Sequence, residues 1–325
     1  MSYTNQPPDS SPVVDLSFVI PIYNGAATIG RVVEMIHENY VDLSIEVVLV
    51  NDGSPDDSES TCASLARRFP DTLTFVHLAR NFGEHNAVLA GLNHATGVHV
   101  AILDDDGQNP PDQVRLMYDA IRENQWDVVY GHYRVKHHSR SRNLGSRFNG
   151  WVANVMLRKP ASLYLSSFKV MNRFIVDEVI RYRGAFPYID GLILRATDNL
   201  GQVEVEHRAR PDADSNYTLT KLFMLWLNMF LNFSILPLRL GATLGMTTSV
   251  VSLFLIAAIV IDKLYVTRDL TVGLPTILVT IVFFAGVQLV ILGTIGEYLG
   301  RLFLDHSGTP QFVVRYVKHR GESDG

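Results

Sequence analysis

The sequence predicts an α/β fold: an open, mainly parallel sheet domain followed by an interfacial helix and two transmembrane helices. Three observations predict it. Short apolar runs alternate with amphipathic stretches from Leu16 to about Gly131, the pattern of successive βα units. Two later runs, Leu240 to Ile261 and Leu270 to Gly296, carry no charged residue, and each exceeds the ~20 residues that cross a hydrocarbon core. Between Lys221 and Arg239 a third uncharged stretch is shorter and holds Asn228, Asn232 and Pro237.

The strands are expected at Leu16 to Ile20, Ile45 to Val50, Leu73 to Leu78, Val98 to Leu103 and Val128 to Tyr130. Many are apolar on both faces, as a sheet covered on both sides requires. Ile29, Val32, Val33 and Ile36 mark one helix between them, and Leu65, Ala66 and Phe69 another. Ligands of such sheets sit at the carboxyl ends of the strands. No G-x-G-x-x-G follows the first strand, which disfavours a dinucleotide-binding dehydrogenase. Further on, Lys221, Asn228 and Asn232 share one helical face opposite Phe223, Leu227, Phe230 and Leu231, the pattern of a helix lying in a membrane interface. Arg239 precedes the first long run and Arg301 follows the second, so the positive-inside rule puts both ends in the cytoplasm.

The expected organisation is a tail over 1–13, a catalytic domain over 14–217, interfacial helices over 218–239, spans over 240–262 and 270–296, and a cytoplasmic tail over 297–325. A mean hydropathy of +0.12 suits that mixture of soluble and membrane parts. A net charge of −5 argues against general nucleic-acid binding. Cys62 is alone, which excludes an internal disulfide. Met1 to Val13 is polar, without the basic and apolar regions of a secretory signal, so the N-terminal half is expected in the cytoplasm.

The sharpest cluster is Asp104-Asp105-Asp106-Gly107-Gln108, at the end of an apolar strand. Strand alternation puts Asp104 and Asp106 on one side and points Asp105 away. Two such carboxylates suit a hard divalent cation, Mg²⁺ or Mn²⁺, that also binds a diphosphate; the bland alternative is a solvated acidic turn. Asn51-Asp52-Gly53-Ser54 ends the second strand, where Asn or Asp can read a nucleobase or ribose, or simply make an Asp-Gly turn. Five cations and no acid occur from Arg134 to Arg147. Such a run is usually a solvated face or a lipid-facing patch; here Arg134 and Arg140 are the choices for an acceptor phosphate, which arginine forks match. The adjacent His137 and His138 lack metal-ligand spacing.

In order, Ile20-Pro21-Ile22-Tyr23-Asn24, Val50 to Ser54, Arg80-Asn81-Phe82-Gly83-Glu84-His85 and Asp104 to Pro111 resemble the family 2 glycosyltransferases of GT-A (Rossmann-like) fold. The chain is most similar to those acting on polyprenyl phosphates: dolichol-phosphate mannosyltransferases, bactoprenol glucosyltransferases and undecaprenyl-phosphate aminoarabinose transferases. The likeness continues through Ser166 to Arg173, the paired spans and Gly296 to Arg301. It implies that Pro21, Tyr23, Asn24 and Asp52 line a nucleoside pocket, that Asp104 and Asp106 hold metal and diphosphate, and that Gln108 lies at the reaction centre. Asn51, Asn81, Gly83, His85 and Asp105 join the donor-binding set on the same ground. The sequence departs in two places. Gly25 stands where the family commonly has Glu, and Ser167 and Lys169 stand where it often has an acidic base and an Arg. Ser167 is kept as a catalytic candidate and Lys169 as a contact of the acceptor phosphate.

The activity this resemblance implies is inverting transfer of one sugar from a UDP- or GDP-linked donor to a membrane polyprenyl phosphate. It implies an inner-membrane, multi-pass enzyme with both termini in the cytoplasm, a homo-oligomer that is a tetramer in some relatives, and a downstream flippase. A processive polysaccharide synthase would need a longer membrane path than two spans, and a Gln-x-x-Arg-Trp motif that is absent. A membrane-tethered nucleotide-sugar sensor is the non-enzymatic alternative, motivated by Ser167.

Overall fold

A computed structural model describes residues 13–133, 163–184, 187–206, 274–306, 308 and 310–321, with seven isolated positions between 241 and 261. The chain divides into a unit of Met1–Ser215 with Pro310–Gly325, and a second unit of Asn216–Thr309.

The first unit is built on β1 (Leu16–Ile22), α1 (Ile29–Asn39), β2 (Ile45–Asn51), α2 (Ser58–Arg68), β3 (Leu73–Leu78), α3 (Glu84–His94), β4 (His99–Ile102), α4 (Val114–Asn124) and β5 (Val128–Tyr133). After the segment 134–162 come β6 (Lys169–Asn172), α5 (Arg173–Ile180), α6 (Ile189–Ala196) and β7 (Leu200–Val205); the sheet is completed by β8 (Val314–Lys318). The strand order is β7-β5-β6-β4-β1-β2-β3-β8. Parallel pairs join β4, β1, β2 and β3, and also β5 and β7. β6 runs antiparallel between β4 and β5, and β8 antiparallel beside β3. The expected α/β sheet is therefore mixed, with two antiparallel insertions.

Its two faces explain the apolar runs. Phe18, Leu49, Phe75 and Ala101 point to a core covered by α1, α2 and α4, while Val19, Val48, Val76 and Val100 point to a core covered by α3, α5 and α6. Every residue of β2 and β3 is buried. From β1 the chain steps one way to β2 and β3 and the other way to β4, so a crevice opens at the carboxyl ends of β1 and β4.

The tail beyond Pro310 is part of this unit. Tyr316 packs edge-on against Phe75 at 5.8 Å, Phe312, Val314 and Val317 lie on the second core, and Arg320 reaches buried Glu46 at 3.4 Å. The expected cytoplasmic tail over 297–325 thus supplies the edge strand of the catalytic sheet.

In the second unit, α7 (Leu274–His306) has 33 residues, about 50 Å at 1.5 Å per residue. Ile277, Ile281, Leu289 and Leu292 are exposed on it. Among the residues with described side chains, no helix is long and apolar enough to cross a membrane, so both spans rest on the sequence pattern. The expected interfacial helices at 218–239, together with Arg134, Arg140, His137 and His138, fall outside the described residues. Of the first run, isolated positions from Gly241 to Ile261 are helical.

Candidate active site

Three loops at the carboxyl ends of β1, β2 and β3 are tied together by Asp52. Its backbone N–H donates to the Ile22 carbonyl at 2.9 Å, and its carboxylate accepts from the Phe82 N–H at 2.7 Å and the Gly83 N–H at 2.8 Å. Loss of hydration raises the pKa of Asp52 and outweighs the two backbone bonds that lower it. Gly53 makes the approach possible. At φ +59° it is left-handed, and a Cβ there would sit 2.4 Å from the Arg80 carbonyl carbon.

These loops and the acidic turn after β4 enclose a cleft of about 350 Å³, lined by Pro21, Tyr23, Asp52 and Asn81 and by Asp104, Asp105 and Asp106. Tyr23 is half-exposed in this lining. All three acids border it. β4 ends at Ile102, so residues 104–106 form a turn and strand alternation no longer applies. Asp105, expected to point away, instead accepts from the Tyr23 N–H at 3.2 Å. Loss of hydration, then the charges of Asp106 and Asp104, push its pKa up to about 6. Asp104 Oδ2 accepts from Asn109 Nδ2 at 2.6 Å and from Ser167 Oγ at 2.9 Å, and Tyr133 in turn donates to Asn109. Asp106 accepts from the Gln108 N–H at 3.0 Å. Among the described residues, no three His, Cys, Asp or Glu side chains are grouped to hold a metal ion by themselves.

A second cavity, of about 210 Å³, shares Glu84 with this cleft and is lined by His85, Ser167, Lys169, Tyr188 and Asp190. Lys169 and Asp190 are 3% and 7% exposed and form an ion pair on Asp190 Oδ1, which also accepts from Tyr130 at 3.1 Å. His85 meets the Tyr188 ring edge-to-face at 5.0 Å, and burial lowers its pKa.

The structure therefore gathers Pro21, Tyr23, Asp52, Asn81, Gly83, Asp104, Asp105 and Asp106 in one cleft and places Ser167 and His85 beside it. Four expectations change. Asn51 is fully buried, donating to His77 Nδ1 at 3.1 Å and accepting from the Ser54 N–H at 3.0 Å, so it supports the loop rather than reading a base. Asn24 and Gln108 stand outside the cleft lining. Lys169, expected at an acceptor phosphate, has its charge matched by Asp190, because an unpaired ammonium at that depth would be strongly disfavoured. Glu84, Tyr188 and Asp190 were missed. An acid in the first turn of a helix reads in sequence as dipole compensation, so Glu84 and Asp190 gave no separate signal.

The family model described as glycosyl transferase family 2 matches residues 17–180, half of the chain and every residue lining the cleft. The chain belongs to glycosyl transferase family 2. It is 29% identical over 313 residues to an undecaprenyl-phosphate 4-deoxy-4-formamido-L-arabinose transferase of Pseudomonas savastanoi, covering 94% of this chain and 91% of that protein. It is 28% identical to the protein of the same description from Proteus mirabilis, covering 93% of each. Among solved structures, a glucosyl-3-phosphoglycerate synthase from Mycobacterium tuberculosis in complex with UDP superposes with a TM-score of 0.51 at 19% identity, over 67% of this chain and 78% of that one. That likeness shows a shared fold.

In this glycosyltransferase, the glycine at position 25 has a local cause. A Cβ on Gly25 would lie 2.2 Å from Asp105 Oδ2, in the space the carboxylate uses to reach Tyr23. Gly25→Ala is expected to swing Asp105 off the Tyr23 N–H and raise the donor KM roughly fivefold, a lost charged hydrogen bond, at little cost in Tm. Steady-state kinetics at varied donor concentration check it; an unchanged KM would mean that Asp105 plays no part in holding the donor.

Proposed function

We propose that this family 2 glycosyltransferase transfers a single sugar from a UDP- or GDP-linked donor to the phosphate of a membrane polyprenol, with inversion at the anomeric carbon. The observation that carries the acceptor is the reach of the likeness to undecaprenyl-phosphate transferases. It covers 94% of the chain, leaving too few residues outside to omit either apolar run.

The fold supports a hairpin in the membrane. The chain leaves the catalytic unit after Ser215 and returns at Pro310 to supply β8, so any crossings in between must be even in number. Two uncharged runs with Arg239 and Arg301 at their outer ends meet that condition and put the catalytic unit and both termini in the cytoplasm. Exposed Ile277, Ile281, Leu289 and Leu292 on α7 suit an apolar surrounding. A homo-oligomer and a downstream flippase belong to the same reading.

In the reaction an acceptor phosphate oxygen attacks the anomeric carbon, and the bond from that carbon to the nucleotide diphosphate breaks, its electron pair leaving with the diphosphate. With a second pKa of about 6, the acceptor phosphate is already largely ionised at neutral pH. A base at position 167 is therefore dispensable, and Ser167 instead orients Asp104 through its hydroxyl. Asp52 holds the three donor loops in register, and Tyr23 and Pro21 flank the nucleoside. Five acids on one cleft, Asp52, Glu84, Asp104, Asp105 and Asp106, with Lys169 paired elsewhere, repel a diphosphate unless a cation joins them. That charge balance fits Mg²⁺ or Mn²⁺, which Asp104 and Asp106 would hold together with the diphosphate. When bound, the cation would neutralise charge developing on the leaving diphosphate.

Membranes carrying the full-length chain, incubated with a panel of radiolabelled UDP- and GDP-sugars, test this. One sugar is expected to enter a chloroform-soluble product in the presence of polyprenyl phosphate. Label appearing only in a long water-soluble polymer, or in no product with any donor, would refute the assignment.

A further inference from the structure

The second cavity is the part of the site that the transfer chemistry leaves without an occupant. It adjoins the donor cleft at two points: Glu84 lines both, and Ser167, which lines the cavity, donates to Asp104, which lines the cleft. A group carried by the diphosphate in the cleft can therefore reach into it. Its volume of about 210 Å³ equals about seven waters of the liquid, which suits one monosaccharide and excludes an oligosaccharide.

The charges select among occupants. Among the described residues, Lys169 is the only cation in the cavity wall, and it is matched by Asp190. Glu84, for which no hydrogen bond or ion pair is found among the described residues, then sets the sign of the cavity. Asp104 lies close enough to help raise the pKa of Glu84, after the loss of hydration that is the larger cause. A phosphate or carboxylate entering here would meet an unmatched acid, whereas sugar hydroxyls or an amine would donate to it. Asp190 adds capacity, because its two bonds to Lys169 and Tyr130 both fall on Oδ1. Tyr188, held edge-on by His85, gives the apolar wall that the carbon face of a sugar ring needs.

We infer that this cavity receives the sugar of the donor, that Glu84 accepts hydrogen bonds from its hydroxyl or amine groups, and that the enzyme thereby selects neutral or amine-bearing sugars over acidic ones. The inference rests on the nucleotide-sugar reading given above, and it adds which sugars that reading admits.

Calorimetry on the full-length protein in detergent with Mn²⁺ tests it. The probes are UDP, UDP-glucose and UDP-glucuronic acid, with GDP, GDP-mannose and GDP-mannuronic acid in parallel. The neutral sugar is expected to bind about tenfold more tightly than its acidic counterpart, the scale of one like-charge contact largely screened by water, since Glu84 is exposed. Glu84→Gln is expected to bring that ratio to about twofold by strengthening the acidic donor. Its affinity for the bare nucleotide should stay within about twofold, which also shows the variant is folded. Equal affinity of the wild type for both sugars, or a ratio that Glu84→Gln leaves untouched, would overturn the inference. Loss of bare-nucleotide binding in Glu84→Gln would do so as well, moving Glu84 to the diphosphate. If the wild type binds neither UDP nor GDP, the donor reading itself fails, an outcome distinct from these.

Discussion

Asp106→Asn is expected to lower sugar transfer by on the order of 10²-fold or more, while the protein keeps its fold. A cation on a leaving diphosphate supplies several kcal/mol of transition-state stabilisation, and an amide replaces half of its carboxylate holding by a neutral ligand. The fold should not suffer, because Asp106 lies on the turn after β4, where its carboxylate accepts from the Gln108 N–H, a bond that an amide oxygen can also accept. Asp104→Asn makes a useful comparison. Asp104 Oδ2 accepts from both Asn109 and Ser167, so its variant disturbs the turn as well as the charge and should lose some stability. Product extraction measures transfer and thermal unfolding measures the fold. Activity of Asp106→Asn near wild type, or full activity in excess EDTA, would remove the metal role assigned to this turn.

Deleting residues 310–325 is expected to destabilise the catalytic unit by on the order of 4 kcal/mol, the loss of several partly buried apolar side chains at about 1 kcal/mol each. Phe312, Val314, Tyr316 and Val317 leave the two cores, and the edge of β3 loses its antiparallel partner. The effect should reach the donor cleft. Tyr316 donates to Glu59 at 2.9 Å, Glu59 lies 3.7 Å from His77 Nε2, and His77 Nδ1 accepts from Asn51, which holds Ser54. Residues 14–214 alone should therefore aggregate or bind donor weakly, and joining them by a flexible linker to 310–321 should restore solubility and binding. If 14–214 alone were as stable as the joined form, β8 would be dispensable.

How far the sequence reveals this molecule depends on where each residue finds its partner. β1, β2 and β3 were legible because both their faces are buried, which leaves uninterrupted apolar runs such as Ile45 to Val50. β6 was not: it has four residues, one of them the buried Lys169, and its partners lie some 70 residues back on β4 and some 40 back on β5. β8 was hidden for a similar reason, since a charged tail segment became a strand only by pairing with β3 across the two apolar runs between them. In the cleft, the acidic turn and the Asp52 loop could be read locally. Asp105 could not, because its direction depends on where β4 stops and on the space left by Gly25. Glu84 and Asp190 needed the packing of α3 against α6 before they faced one cavity.

The order in which the ribosome delivers these strands gives the β3–β8 pairing a temporal meaning. Roughly 240 residues separate Leu78 from Val314, so at ~5–20 residues per second β3 waits roughly 12–50 s for its neighbour. Throughout that interval its backbone edge is open to pairing with a neighbouring nascent chain. A chain that stalls within the apolar runs never closes it. Completion of the nucleotide-binding half is thus scheduled after delivery of the two apolar runs, and a prematurely terminated product carries an unpaired edge that marks it for aggregation or proteolysis rather than leaving an active fragment.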